Sequence, residues 1–441
     1  MKLLSITAGA ANMYCGSCLR DNALAAELRA RGHDVLLVPL YTPTRTDEPN
    51  VSDRHVFFGG VSVYLQQYVP FFRRTPRLLD WLFDRPALIR AVSGRSIQTD
   101  PKMLGELTVS MLRGALGHQR KEVDKLLAWL ADEPRPDVVS LPNTLLIGLA
   151  RPLSQALDRP VCCTLQGEDL FLDGLVEPFR TEALDLIRRQ VTEVDTFVGV
   201  SAYYAEYMAG YLGIPRRQIR VAPLGINLTG YDSSPRPRND PFRIGYFARI
   251  APEKGLHRLA SAYRHLRHDL GLPPSRLEAA GYLGAEHAAY LADVERQMRD
   301  WGLGEEFHYH GVVDRAAKIA FLRSLDVLSV PSPYHEPKGL FVLEALACGT
   351  PVVQPAHGAY PEMIERTGGG LLVPPDDDAA LAGALLRVWR DPELARTLGE
   401  RGAAGVVEHY SVSRMADTIT AIYGDVLAET RGMASTAVGL R

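Results

Sequence analysis

The chain has few of the features that mark specialised classes of protein. Its 441 residues include only five cysteines, an odd number, which argues against a disulfide scaffold and favours a reducing, cytoplasmic location. Its basic residues (49) and acidic residues (52) nearly cancel, so the formal net charge is -3 and the excess of lysine and arginine typical of nucleic-acid binders is missing. No apolar run reaches the ~18 residues of a membrane-spanning helix.

Several binding signatures are also absent from the sequence. The glycine loop after the first apolar run does not read G-x-G-x-x-G, and no Walker A sequence occurs. Neither a metal nor another cofactor is predicted. Cys15 and Cys18 form a C-x-x-C pair, but zinc needs about four ligands. We interpret the two cysteines as small loop or core residues rather than as a metal or redox site.

Short apolar runs alternate with helical patterns along most of the chain. In the first half, the predicted strands are Leu3–Thr7, Val35–Leu40, Val138–Leu141, Val161–Leu165 and Phe197–Val200. In the second half, they are Phe242–Phe247, Leu277–Ala280, Phe307–Tyr309, Val327–Val330, Pro351–Gln354 and Leu371–Val373. This rhythm predicts parallel sheets covered on both faces, with ligands bound at the carboxyl ends of the strands.

The fold class predicted is therefore α/β, with two Rossmann-like, doubly wound domains that face each other across a cleft. Residues 1–230 form the first domain, with a helical insertion at about 56–130. The polar, proline-rich residues 231–241 are expected to be a linker, and residues 242–410 form the second domain. A terminal helix over 411–428 and a disordered tail over 429–441 complete the prediction.

The insertion contains an aromatic and basic stretch, Val63 to Phe83, that reads VYLQQYVPFFRRTPRLLDWLF. Its simplest interpretation is a segment packed on the first domain. It could instead bind a soluble acceptor. A third interpretation is peripheral contact with the inner face of a membrane, because Arg73, Arg74 and Arg77 beside apolar bulk suit anionic lipid.

Two carboxylates stand in the stretch SPYHEPKGLFVLEALACGTPVV, which begins at Ser332. Glu336 precedes a predicted helix that starts at about Leu340, and Glu344 lies one turn inside it. A helix N-terminus after a parallel strand can bind phosphate, and Gly339 permits a close approach to the backbone. Glu344 could then accept hydrogen bonds from a ribose diol and Glu336 from a second polyol. Acidic residues also stabilise helix starts by ~0.3–1 kcal/mol, which would explain Glu344 but not Glu336.

A pair of cations follows the strand predicted at Phe242–Phe247. Arg249 and Lys254 lie in the stretch GYFARIAPEKGL, between that strand and a helix predicted from Gly255. At the carboxyl end of a strand they could neutralise a diphosphate and stabilise charge on a leaving group. The alternative is an ordinary solvated loop.

Taken together, the second half resembles glycosyltransferase family 4, a retaining, nucleotide-sugar-dependent family with the GT-B fold. The resemblance rests on the E-x7-E spacing of the two glutamates, the cation pair, Gly311 after HYH, and the stretches EALACGTPVV and GGGLLVPPDD. These features cover roughly Arg243 to Tyr410. The first half is similar more weakly, through the Gly16 loop and RARGHDVLLVPL, and FFGGVSVYLQQ is similar to the glycogen-synthase branch.

The resemblance implies transfer of a sugar from a nucleotide-diphosphate-sugar to an acceptor hydroxyl, without a metal and with the donor as co-substrate. It implies catalytic roles for Glu336, Arg249 and Lys254. The first domain would bind the acceptor and the second the nucleotide-sugar, and the terminal helix would cross back to the first domain. The donor-binding residues implied are Gly16, Arg249, Lys254, Gly311, Glu336, Gly339, Leu340, Phe341 and Glu344.

The chain departs from the family pattern at several positions. Gln166 stands where the family often has a histidine, so it can hydrogen-bond a sugar or acceptor hydroxyl but cannot take a proton. If a base is needed, Glu168 or Asp169 could supply it, although either could simply cap the helix that follows. Asn227 replaces the usual aspartate of a GID turn. Lys338 replaces a residue that is commonly neutral.

Three other functions remain open from the sequence. A phosphorylase of the same fold would use inorganic phosphate, and a non-catalytic protein would bind the sugar nucleotide without turnover. A nicotinamide oxidoreductase is disfavoured by the missing glycine fingerprint. The expected partners are a nucleotide-sugar and an acceptor that is a glycan, a lipid or a small molecule, with no nucleic acid. The sequence leaves the donor base, the sugar, the acceptor and the oligomeric state undetermined.

Overall fold

Twelve β-strands in two separate sheets organise the part of the chain that the structure describes. The structure is a computed structural model, and it describes residues 1–9, 15–58, 63, 66–67 and 101–438, with side chains as far as residue 430. Each sheet has six strands, and all pairings between neighbours are parallel. The predicted class, two Rossmann-like doubly wound sheets, is confirmed.

The chain divides into two compact units. The first consists of Met1–Ala222 with Ala416–Arg441, and the second of Pro223–Met415. This division falls earlier in the sequence than the predicted linker over residues 231–241, which belongs to the second unit.

Arg236 explains why the predicted linker is part of the second unit. Its guanidinium donates to the backbone oxygens of Cys348 (3.2 Å) and Leu325 and to Thr350 Oγ1 (2.9 Å). Asn239 adds hydrogen bonds to Asp326 and Ser324, so the polar, proline-rich stretch is fastened to its domain by contacts that its composition does not reveal.

The first unit has the strand order β2-β1-β3-β4-β5-β6. Its strands are β1 Lys2–Thr7, β2 Asp34–Pro39, β3 Val138–Leu141, β4 Val161–Leu165, β5 Thr196–Gly199 and β6 Ile219–Val221. Its α-helices within the described residues are α1 Gly16–Ala30, α2 Pro101–Leu112, α3 Arg120–Asp132, α4 Ala150–Leu157, α5 Asp169–Asp173, α6 Phe179–Gln190 and α7 Ala202–Leu212. All residues of β4 are buried, as expected of a strand covered on both faces.

The second unit has the strand order β12-β11-β10-β7-β8-β9. Its strands are β7 Arg243–Phe247, β8 Arg276–Ala280, β9 Phe307–Tyr309, β10 Val327–Leu328, β11 Val352–Pro355 and β12 Gly370–Val373. Its α-helices are α8 Leu256–Arg264, α9 Ala288–Asp300, α10 Arg315–Arg323, α11 Leu340–Ala347, α12 Tyr360–Thr367, α13 Asp378–Arg390 and α14 Pro392–His409.

The last helix, α15, runs from Val412 to Val438, and its residues from Ala416 onward belong to the first unit. It extends beyond the predicted end at Ala428 into the stretch expected to be a disordered tail. Alanine, methionine, arginine and glutamate in that stretch are good helix formers, which explains why the helix continues.

The predicted insertion contributes two helices to the core of the first unit. Val109 and Leu112 of α2 and Leu126 of α3 are buried there, in agreement with the simplest interpretation of this part of the insertion. The aromatic and basic stretch from Val63 to Phe83 lies outside the described residues, except for positions 63, 66 and 67. Among the described helices, none is both long and apolar enough to cross a bilayer.

The second sheet reverses its strand order beside β7. The chain passes from β7 outward to β8 and β9 and then returns to place β10 on the other side of β7, with Leu328 in register with Gly245. Doubly wound sheets bind ligands outside the carboxyl ends of the strands at such a reversal. In this unit, the reversal lies between the loops that follow β7 and β10, which are the loops that carry the cation pair and Glu336.

Candidate active site

Lys254 and Glu336 meet at the reversal point of the second sheet. The Lys254 ammonium donates to Glu336 Oε2, and the two side chains are 15% and 5% exposed. Burial raises the pKa of Glu336, but the Lys254 ammonium, together with the charge of Lys338 and the Gly339 N–H group, leaves the pKa below its ordinary value. Glu336 is therefore a carboxylate at neutral pH, able to accept hydrogen bonds but not to donate a proton.

The N-terminus of α11 lies directly beside this ion pair. Gly339, its cap residue, has φ 62°, and a Cβ atom there would lie 2.9 Å from Met363 Sδ, so the sequence needs glycine at this turn. The backbone N–H groups of Lys338 and Gly339 point at Glu336 Oε1, at 3.3 and 3.4 Å. The next N–H groups, of Leu340 and Phe341, are at the start of the helix, where no intrahelical acceptor exists. Together with the helix dipole they make an anion-binding end.

Arg249, the second predicted cation, has an acidic partner of its own. Its guanidinium donates to Glu253 Oε1, and the arginine side chain is 39% exposed. An exposed pair of this kind contributes only ~0–1 kcal/mol to stability, so its geometry is easily rearranged by a ligand. Tyr246 anchors the turn by donating its hydroxyl to the Arg249 backbone oxygen at 3.1 Å.

Glu344 is held in place by two residues that the sequence did not single out. Lys318 Nζ on α10 lies 2.6 Å from Glu344 Oε1, and the Tyr231 hydroxyl lies 3.3 Å from the same oxygen. Lys318 is only 5% exposed and Glu344 only 8%. The carboxylate is therefore bonded through one oxygen and fixed in orientation.

A second loop, after β11, clamps the backbone of Glu336. The Ala359 N–H donates to the Glu336 backbone oxygen at 2.8 Å. A Cβ on Gly358 would approach the Glu336 nitrogen and oxygen to 2.8 and 2.7 Å. His335 stacks on His357 at 4.5 Å between ring centroids, and burial together with His335 lowers the pKa of His357. Gly311, which follows β9, has φ 73°, and a Cβ atom there would meet no heavy atom of the described residues within 4 Å.

In the first unit, Gln166 follows β4 and is 2% exposed. Its Nε2 donates to Pro142 O at 2.6 Å, while its Oε1 has no hydrogen-bond partner among the residues that the structure describes. Leaving a buried amide oxygen unbonded costs about 1–3 kcal/mol, so a hydroxyl donor at this atom would be stabilised.

Glu168 and Asp169 lie next to Gln166 but are engaged in the protein's own network. The Glu168 carboxylate accepts from Thr144 N (3.3 Å) and Oγ1 (3.0 Å), from Gln166 N (2.8 Å) and from the Tyr204 hydroxyl (3.3 Å). Tyr204 also lies 2.7 Å from Asp169 Oδ1. Burial raises the pKa of Glu168 although these hydrogen bonds oppose the shift. With two donors from Thr144 and one from Gln166 on its two oxygens, Glu168 has the geometry of a structural carboxylate.

Gly16, the remaining predicted residue, is the first residue of α1. Cys15 caps that helix, and residues 10–14 of the same loop are outside the described part. No group of three or more histidine, cysteine, aspartate or glutamate side chains suited to a metal occurs among the residues that the structure describes. The expectation that no metal is needed stays a prediction.

Comparison with protein families accounts for nearly the whole chain. The family described as glycosyl transferases group 1 matches residues 231–404. The glycosyl transferase 4-like domain matches residues 21–225. The chain belongs to the GT-B glycosyltransferases of family 4.

Relatives and solved structures agree with this assignment. The chain is 27% identical over 326 residues to a glycogen synthase from Mycobacterium tuberculosis, covering 73% of this chain and 74% of that enzyme. A sucrose-phosphate synthase from Thermosynechococcus elongatus superposes with a TM-score of 0.70 at 20% identity, over 97% of this chain and all (100%) of that one. Anabaena HepE in complex with UDP and glucose gives 0.66 at 17% identity, over 96% and 100%. At these identities the two structures establish the fold.

This glycosyltransferase moves a sugar from a nucleotide-sugar donor to an acceptor hydroxyl. In the second unit, the predicted donor-binding residues lie on α11 and on the loops that follow β7 and β10. Gly311, which follows β9, is the exception. The sequence missed Lys318 and Tyr231 because their contacts with Glu344 span 26 and 113 residues. Glu253, the partner of Arg249, could have been found from its opposite charge four positions away.

Proposed function

We propose that the glycosyltransferase binds the donor diphosphate at Lys254 and the N-terminus of α11, and transfers the sugar with retention of its anomeric configuration. The observation that carries the proposal is the meeting of Lys254 with Glu336 at the Gly339 turn, at the reversal point of the sheet. An ammonium, a helix N-terminus and a carboxylate acceptor within one turn of backbone suit a ligand that has phosphate beside hydroxyl groups.

Negative charge that develops on the leaving diphosphate would be stabilised from two sides. Lys254 has three N–H donors, of which Glu336 takes one. The N–H groups of Leu340 and Phe341 face the same end of the helix. Arg249, more exposed and paired with Glu253, can swing its guanidinium toward the phosphates. Each hydrogen-bond donor that points at the developing charge typically lowers the activation barrier by about 2.7–4 kcal/mol.

The two glutamates would hold the ends of the donor. Glu344 would accept from the ribose and Glu336 from hydroxyls of the transferred sugar, with the backbone of Gly339, Leu340 and Phe341 between them. Because its lowered pKa keeps Glu336 ionised, Glu336 would orient the sugar and stabilise positive charge on the ring rather than act as an acid.

The first unit carries a polar group suited to a hydroxyl ligand. The Oε1 of Gln166, which has no hydrogen-bond partner among the described residues, suits a hydroxyl of the sugar or of the acceptor. The Glu168 carboxylate is already occupied by hydrogen bonds from the protein. We therefore assign the role of base to the leaving phosphate of the nucleotide-sugar. The acceptor oxygen would bond to the anomeric carbon on the face from which the phosphate oxygen departs, and the acceptor proton would pass to that phosphate.

Donor hydrolysis and transfer tests with UDP-, GDP- and ADP-linked glucose and mannose decide the proposal. We expect one nucleotide to support turnover without added metal, and proton NMR of the product to show the anomeric configuration of the donor. An inverted product would overturn the retaining course. Binding without turnover would indicate a non-catalytic protein, and activity only with a sugar 1-phosphate or inorganic phosphate would indicate a phosphorylase.

The acceptor is best sought among glycans, small polyols and lipids in parallel. Vesicles of anionic lipid belong in this screen, because the aromatic and basic stretch from Val63 to Phe83 is the part of the sequence that suits a membrane surface. Stimulation by the vesicles with a soluble acceptor would separate surface binding from lipid glycosylation.

A further inference from the structure

Lys318 forms an ion pair with Glu344 but has no role in the function proposed above. Both residues are over 90% buried, and Lys318 Nζ lies 2.6 Å from Glu344 Oε1 on a different helix. Isolated charges are rarely buried, because removing them from water is costly unless a partner and hydrogen bonds compensate. A lysine that only filled space would be replaced at lower cost by leucine or methionine, so its charge points to a task at Glu344.

The geometry of the carboxylate shows what that task is. Lys318 Nζ and the Tyr231 hydroxyl both bond to Oε1 of Glu344. Among the described residues, no side chain or backbone group donates to Oε2. The two oxygens of one carboxylate are thus divided, with Oε1 turned toward the protein and Oε2 left for a ligand.

Tyr231 is itself held by an arginine. Arg315 donates to Asn227 O at 2.8 Å and to Thr229 O at 2.9 Å, and its guanidinium lies 5.3 Å from the centre of the Tyr231 ring. Arg315 and Lys318 lie on the same helix, α10. One helix therefore fixes both donors that face Glu344.

We propose that Lys318 is a positioning residue for recognition of the donor ribose, acting by fixing the rotamer of Glu344 so that Oε2 faces the ribose hydroxyls. This inference rests on the proposed role of Glu344. Tyr231 assists as the weaker of the two donors, and Lys318 itself makes no contact with the ligand. A carboxylate fixed in advance loses less side-chain entropy on binding than a free one.

The test compares each variant's affinity for two ligands. The ligands are the tightest-binding of UDP, GDP and ADP, and the 2′,3′-dideoxy form of the same nucleotide, titrated by calorimetry on the full chain. The ratio of the two affinities within one variant is insensitive to partial unfolding, because an unfolded fraction weakens both equally. In the wild-type protein we expect the ribonucleotide to bind at least about tenfold more tightly.

Lys318→Met should reduce this ratio by about tenfold, to near one, while binding of the dideoxy nucleotide stays as in the wild type. Lys318→Arg should restore part of the ratio, and Tyr231→Phe should reduce it by about twofold to threefold. In steady state, Lys318→Met should raise the donor KM with a smaller change in kcat. Lys102→Met, an exposed lysine of the first unit, is the matched control and should leave the ratio unchanged.

Glu344→Gln separates failure of this inference from failure of the ribose assignment. If Glu344→Gln preserves the preference for the ribonucleotide, Glu344 does not bind the ribose and the assignment itself is wrong. If Glu344→Gln abolishes the preference but Lys318→Met keeps it, only the positioning role is overturned. Equal weakening of both nucleotides by Lys318→Met would show a purely structural lysine and would also overturn it.

Discussion

Lys254 and Glu336, 82 residues apart in the sequence, form a single ion pair at the N-terminus of α11. Sequence reasoning gave them separate roles, one at the phosphate and one at the sugar. Their pairing makes them one electrostatic unit, in which the ammonium keeps the carboxylate ionised and the carboxylate fixes the ammonium. A change at either residue therefore acts on both ends of the donor.

Lys254→Met should reduce turnover at least about tenfold, equivalent to ~1.4 kcal/mol of transition-state stabilisation. It also leaves a buried carboxylate without its cation, which costs about 3–5 kcal/mol of folding stability. Initial rates of donor hydrolysis and thermal unfolding of the same preparation separate the two effects. In the double variant with Glu336→Gln, in which neither residue is charged, stability should recover while turnover stays low. Wild-type rates in Lys254→Met would refute the role of the lysine.

Gly339→Ala should both destabilise the protein and impair turnover. Its φ of 62° disfavours a side chain, and the new Cβ would press on Met363 Sδ at 2.9 Å. We expect a loss of about 1–2 kcal/mol in the free energy of unfolding and a raised donor KM. Gly383→Ala, in the interior of α13 with open space around its Cβ, is the control and should stabilise by about 0.5–1 kcal/mol. Equal effects of the two substitutions would contradict the assignment.

Glu336 and Glu168 should contribute to stability with opposite pH dependence. The pKa of Glu336 is lowered on folding, so its contribution is present above the ordinary carboxyl pKa of ~4.3 and is lost as the pH falls through its lower folded value. The pKa of Glu168 is raised on folding, so stability falls as the pH rises from ~4.3 through its higher folded value.

Unfolding temperatures of the wild type, Glu336→Gln and Glu168→Gln, measured from about pH 3 to pH 8, test both signs. The advantage of the wild type over Glu336→Gln should shrink toward the acid end. Relative to the wild type, Glu168→Gln should gain stability as the pH rises. Parallel curves for the three proteins would show that the carboxyl groups titrate alike in both states.

Cys15 should be the cysteine that reacts under native conditions. Cys18, Cys162, Cys163 and Cys348 are buried, and burial raises the pKa of Cys162, Cys163 and Cys348, the last to about 12. The pKa of Cys18 is raised by its hydrogen bond with Cys15 and by burial. Since the thiolate is the reactive species, maleimide labelling followed by peptide mass spectrometry should find Cys15 alone. Labelling in denaturant should find all five.

The sheets were predictable because their strands are short, continuous apolar runs. Val138–Leu141 and Val161–Leu165 coincide with β3 and β4. The sixth strand of the first sheet, Ile219–Val221, escaped notice because its central residue is Arg220 and the run around it is too short to register. Pairing with β5 makes it a strand, and pairing is a property of the folded chain rather than of three residues.

The site residues that lie close together in the sequence could be predicted. Those that meet only through the packing of different helices could not. Glu336, Gly339 and Glu344 could be read from the sequence because a loop and its helix carry all three. Lys318 could not, because its partner lies on another helix and an isolated lysine in a helical pattern indicates a solvated face. Its burial is decided by the packing of α10 against α11, which local sequence does not encode.

The clamp on the Glu336 backbone restricts how this enzyme can be redirected to another sugar. Gly358 and Ala359 hold the main chain of Glu336 from behind, so replacing either would displace the carboxylate instead of reshaping the space before it. A mutant library that keeps positions 358 and 359 constant and randomises His335, His357 and Lys338 would sample new hydroxyl patterns without losing the catalytic frame. The residues around Glu336 thus fall into positions that selection can vary and positions in the loop after β11 that it must preserve.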